Sequence, residues 1–161
     1  MSQLLERENI LKLLPPTVLT ILSLGDLGFD IYGLNQSIRG RSRNGEEIVA
    51  NITLTIAHAI TTYLVSEKDP RPLDKNLRRL AVGSSFGCAV MEIGATIAVE
   101  SNKRTIEEKE RGYFYVTLNG LQAIRDVSGV VYGGATIAHT LNDAMNSRSY
   151  LHMPLSHTGR F

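Results

Sequence analysis

Charged and apolar residues are sorted into separate stretches along this chain. From Ile48 to Ser66 there are nineteen residues without a formal charge, counting His58 as neutral. From Leu80 to Val99 Glu92 is the only charge in twenty residues. The segment between them, Glu67 to Arg79, carries eight charged side chains, and Glu100 to Arg111 carries another eight. A surface helix in water mixes the two kinds of residue every few positions; these blocks do not.

The elements follow from that pattern. Ser2 caps a first helix in which Leu4, Leu5, Leu11 and Leu14 line one side, and Pro15-Pro16 is expected to stop or kink it. Residues 37–45 read as a loop. The next helix is the clearest. Asn44 caps it, Glu46 and Glu47 suit the positive end of its dipole, and Ile48, Ile52, Ile56 and Ile60 recur every four residues. Its other side carries Asn51, Thr55, His58 and Thr62, a polar stripe without charge that fits contact with other helices better than open water. A rigid turn over Asp69-Pro70-Arg71-Pro72 leads to a third helix capped by Asp74, with Ser84, Cys88 and Thr96 on a stripe around Glu92. The charged link that follows is expected to break at Gly112. Residues 113–118 are aromatic and β-branched, compatible with a short strand. A last helix is expected from Val127 to Met145, with Ser128, Tyr132, Thr136 and His139 on one side. The fold class is therefore mainly α, a single-domain bundle of about four long helices. Residues 1–14 form a candidate N-terminal arm and 146–161 a C-terminal tail.

A bilayer span needs about 20 mostly apolar residues. The two uncharged blocks have that length; Leu13 to Gly25 and Val127 to Asn142 are weaker candidates. Lys and Arg are spread almost evenly over the two sides that four spans would create, so they set no orientation. No basic excess precedes an apolar run at Glu6, Arg7 and Glu8, so a cleaved secretory leader is not expected. The expected location is the membrane or the cytoplasm.

Composition narrows the chemistry. In 161 residues the net charge is +1, which argues against wrapping nucleic acid by bulk charge. A single cysteine, Cys88, excludes an internal disulfide framework. No P-loop, dinucleotide fingerprint, nucleophile elbow or metalloprotease motif is present. Three constellations remain. Arg39, Arg41 and Arg43 alternate in a loop and suit phosphate groups, with nucleic acid a less favoured partner. His58, Glu92 and His139 lie on the polar stripes of three helices and would bind a metal or relay protons if the stripes converged. Gly83-x-x-x-Gly87 and Gly129-x-x-x-Gly133 permit close helix contact. Leu4, Leu11 and Leu14 are the candidate interface of the N-terminal arm. The functional expectation is a non-catalytic helix-assembly subunit, compatible with a small polytopic membrane protein. It needs no cofactor and pairs with itself or another protein. The alternatives are a soluble homo-oligomeric structural or interaction protein, and a small enzyme or ligand-binding protein using His58, Glu92 and His139.

Overall fold

The computed structural model describes residues 7–41, 43–68 and 75–151. Among them are four helices and no strand: α1 Arg7–Ile38, α2 Gly45–Lys68, α3 Lys75–Ser101 and α4 Glu108–Leu151. Each helix packs on its chain neighbour, and α4 closes the ring against α1, the most extensive of the pairings. Short links make successive helices antiparallel. α1 and α4 also run antiparallel. Near one end Ser37 faces Gly112, in the middle Asp26 meets Arg125, and further along Thr20 faces Gly133.

The ends of α1 and α2 have local causes. Gly40 takes a positive φ of 77°, a conformation open to glycine, and there α1 stops. Arg41 N donates to Gln36 O at 3.1 Å and Gly40 N donates to Ser37 O at 3.0 Å, the two bonds of a Schellman cap. Asn44 then starts α2 as its sequence indicates. Its side chain accepts from Glu47 N at 2.8 Å, and its own N–H donates to Glu47 Oε2 at 2.9 Å, a reciprocal capping box. Ser2 and Asp74, read as the caps of the first and third helices, lie outside the described residues.

Four expectations change. Pro15 and Pro16 do not stop α1, which runs through both. Each removes one backbone donor, but Pro16 is fully buried and its carbonyl faces Gly133 of α4, so packing supports the helix there. Residues 7–14 are thus the first turns of α1 rather than a separate arm. Residues 113–118 are helical, not a strand. Strand preference is weak and yields to packing, and Tyr115, Leu118, Asn119 and Gln122 are all buried at helical spacing. Gly112 does not break the chain. It lies buried inside α4 against the end of α1, where a Cβ would make an ordinary contact 3.5 Å from Ser37 O. Consequently the last helix begins at Glu108, not Val127, and extends to Leu151, taking in the start of the expected tail.

The interior is unusual. More polar or charged side chains than apolar ones are buried among the described residues. The apolar clusters are small and sit at opposite ends: Leu19, Val65, Ala81 and Tyr132 at one, Val99, Tyr115 and Leu118 at the other. Between the helix ends the outer surface is apolar, with Ile21, Val49, Ile60, Val90, Ile97 and Ile124 each more than half exposed. The charges in the middle of the helices, Asp26, Asp30, Glu92, Arg125 and Asp126, all point inward. Three helices, Ile10–Ile38, Gly45–Lys68 and Lys75–Ser101, are long and apolar enough to cross a membrane.

The two glycine pairs play different parts. A Cβ on Gly129 would strike Ser23 Oγ and His58, and one on Gly133 would strike Thr20 Oγ1 and lie 3.0 Å from Pro16 O. Gly83 and Gly87 face outward, with nothing near a built Cβ. Gly133→Ala is therefore expected to destabilise the bundle by about 1–3 kcal/mol through overpacking. Gly25→Ala, exposed and unobstructed, should be neutral or stabilising by up to about 1 kcal/mol. Thermal unfolding of the two variants in one solvent checks the contrast.

Candidate functional site

The inward stripes converge into a hydrogen-bonded ladder along the bundle axis. At one end the Arg43 guanidinium lies over the Tyr115 ring, 4.7 Å from its centroid. Arg43 Nη1 donates to Glu92 Oε1 at 2.7 Å, while Nη2 donates to the side-chain oxygens of Asn119 and Gln122. Gln122 Nε2 in turn donates to Glu92 Oε2 at 2.7 Å and to Thr55 Oγ1 at 3.3 Å. Thr55 Oγ1 also accepts from Arg125 Nη1 at 3.0 Å, so one hydroxyl joins the two arginine centres.

Arg125 forms the second centre. Its Nη2 is 2.5 Å from Asp126 Oδ1, 3.2 Å from Asp26 Oδ2 and 3.6 Å from Asp30 Oδ2. Next along the axis comes His58, fully buried, with Nε2 2.8 Å from Ser23 Oγ and 3.7 Å from Asp126 Oδ1. Its Nδ1 is 3.1 Å from Ser85 Oγ, which donates to Thr62 Oγ1 at 3.1 Å. Beyond Thr62 the cluster of Leu19, Val65, Ala81 and Tyr132 interrupts the polar run, and Arg78 donating to Ser66 at 2.7 Å lies past it. Asn51 to Thr62 covers about 17 Å of α2 at 1.5 Å per residue.

Burying these groups is costly unless they are paired, since a charge in a low-dielectric interior loses its hydration. Here most hydrogen-bonding atoms answer one another. The exceptions include Asp30 Oδ2 and Asp126 Oδ2, buried without a hydrogen-bond donor. At the Arg43 end a cavity of about 210 Å³ opens among Phe29, Gly33, Gln36, Arg41, Asn44 and Asn51.

The candidate residues separate as follows. Arg43 is buried in the ladder, whereas Arg39 and Arg41 are exposed, so the three arginines do not form one grip. Arg41 and Arg43 do share the cavity wall. His58 and Glu92 both enter the interior but are joined through Thr55, Gln122 and Arg125 rather than directly. His139 stands apart, half-buried and paired with Asp143 of its own helix at 3.3 Å. Among the described residues no group of three or more His, Cys, Asp or Glu side chains is arranged to hold a metal. Cys88 is buried, 3.7 Å from the carbonyl of Leu121. Leu11 and Leu14 point outward, and Leu4 lies outside the described residues.

Sequence reasoning missed Asp26, Asp30, Asn119, Gln122, Arg125 and Asp126 as site residues. A signal was present: Asp26 and Asp30 are one helical turn apart, and Asn119, Gln122 and Asp126 share a face at three- and four-residue steps. No family model, curated protein or solved structure matches the chain.

Three measurements check the ladder. In a double-mutant cycle of Arg43→Met and Glu92→Gln, the coupling is expected to exceed about 1 kcal/mol, because the pair is buried and bonded. A cycle of Glu92→Gln with His139→Ala should be additive within about 0.5 kcal/mol, since the two residues share no partner. Thr55→Val would strand donors of both Arg125 and Gln122 and should cost about 1–3 kcal/mol.

Proposed function

We propose that this chain is a small polytopic membrane protein acting as a non-catalytic helix-assembly subunit. The observation that carries this reading is the inverted distribution of side chains, with charge inside and large apolar residues outside. In water the exposed face would be a large aggregation-prone patch. In lipid it is the required surface, and the ladder is the arrangement that keeps polar groups away from hydrocarbon.

α4 belongs to the membrane part on the same reasoning, although its composition alone falls short of a span. Its polar residues Asn119, Gln122, Arg125 and Asp126 are buried against the other helices, and its outer face presents Leu121, Ile124, Val127 and Val131. The assembly role draws on the outer side of α3. Gly83, Gly87 and Gly94 are exposed there with open space beside them. Small residues at such spacing let a neighbouring helix come close in lipid. Beside them runs a shallow apolar groove that includes Val90, Met91, Phe114 and Leu121.

Carbonate washing of membranes from expressing cells tests the embedding: the chain should stay in the pellet until detergent is added. Full release without detergent, in a large assembly by sedimentation, would instead mean that copies of the chain cover the apolar face in water. Ile60→Lys sharpens the choice. At an exposed site in water it should change stability by no more than about 0.5 kcal/mol. In a bilayer centre it should cost roughly 2.5–3.5 kcal/mol and deplete the inserted protein. Gly83→Ile with Gly87→Ile should reduce crosslinked oligomers in detergent while leaving helix content unchanged.

A further inference from the structure

The second arginine centre is unbalanced. Asp26 and Asp30 approach Arg125 from α1, and Asp126 approaches from α4 beside it. Three carboxyls therefore surround one fixed positive charge. The other groups facing them are His58 from α2, and Cys88 and Glu92 from α3. Glu92 is already committed to Arg43 at 2.7 Å. Fully ionised, the centre would hold two uncompensated negative charges in a buried site, and like charges in such a place cannot all persist.

The hydrogen-bond pattern says what is missing. Asp30 and Asp126 meet at the same nitrogen, Arg125 Nη2, at 3.6 and 2.5 Å. Each has an oxygen, Oδ2, that is buried and meets no donor. Two such acceptors on neighbouring carboxyls can be satisfied by a single proton held between them. A metal cation fits poorly, because the Arg125 guanidinium already occupies the middle of the carboxyls and no ligand cluster is arranged for one among the described residues.

We propose that Asp30 and Asp126 form a proton-binding site, in which one carboxyl is protonated at neutral pH and donates to the other. The site belongs to the interior found in this fold and does not depend on which solvent surrounds the bundle. Its surroundings suit exchange of the proton. On one side the cavity reaches Phe29, Gly33 and Asn51, the residues flanking Asp30 on α1 and the turn before Thr55 on α2. On the other, Asp126 Oδ1 lies 3.7 Å from His58 Nε2, and both ring nitrogens of His58 meet hydroxyls. Ser85 Oγ, whose own hydrogen goes to Ala81 O at 2.7 Å or Thr62 Oγ1 at 3.1 Å, accepts from Nδ1–H, and Ser23 Oγ–H can donate to Nε2, so the hydroxyls suit one neutral tautomer of His58. Past Thr62 the apolar cluster around Leu19 and Tyr132 closes the path. The cavity thus lies towards the Arg43 end, beside residues that neighbour Asp30, while the other end is sealed.

The test is a pH titration of the full-length protein in detergent micelles, with aspartate carboxyl carbons labelled and read by NMR. An aspartate resonance at the protonated position should persist at pH 7. It should vanish in Asp30→Asn, whose amide supplies the missing donor and so preserves the fold, and remain in Asp143→Asn, an exposed control. If every aspartate of the wild-type protein is ionised at pH 7, the proposal is overturned, and this outcome requires no variant to fold. A persistent resonance unaffected by both Asp30→Asn and Asp126→Asn in folded protein would also overturn it. Release from membranes by carbonate would sink the membrane reading but leave this site standing, whereas an ionised cluster would do the reverse.

Discussion

The guanidinium of Arg125 and the carboxyls around it tie α1 to α4, and Thr55 ties that centre to α2 and onward to Arg43 and Glu92. This contact sets what the rest of the bundle must do. A guanidinium has five donors and no acceptor, so it demands oxygens on several sides. Asp26, Asp126 and Thr55 supply them from three helices. With its polar residues used in this way, each helix has mainly apolar residues left for its outer face. The small apolar clusters at the two ends then close the interior without making up most of it.

Close approach of the helices is the second requirement. Hydrogen bonds between short side chains such as Ser23 and His58 need backbones near one another. Gly129 provides this, because any side chain there would strike both residues. Gly133 does the same where α4 passes Pro16 and Thr20. The α1–α4 pair is consequently the most extensive in the bundle, and α1 continues through two prolines.

The helical class and the burial of the uncharged stripes were legible in the sequence. Asn51, Thr55, His58 and Thr62 follow the helical period without any charge, and all four are buried. The cap at Asn44 was legible too, since a capping box is local chemistry. The length of α4 was not. Its aromatic start resembles a strand, and Gly112 resembles a breaker. The site was half legible. Glu92 and His58 drew notice as isolated groups in uncharged blocks. Asp26, Asp30, Arg125 and Asp126 read instead as marks against apolar spans, because their partners are far apart in the chain and pairing across helices leaves no trace in local spacing. His139 matched the pattern of its stripe but lies beyond the ladder, beside Asp143.

The central claim is that the apolar exterior faces lipid and the polar ladder faces inward. Spin labels placed singly at Ile21, Ile60 and Ile97, one on each of three helices, test it most directly in protein reconstituted into vesicles. The account predicts fast relaxation by oxygen, which concentrates in hydrocarbon, and little relaxation by a water-soluble nickel complex at all three sites. Strong relaxation by the nickel complex at these positions would place the apolar face in water and contradict the account.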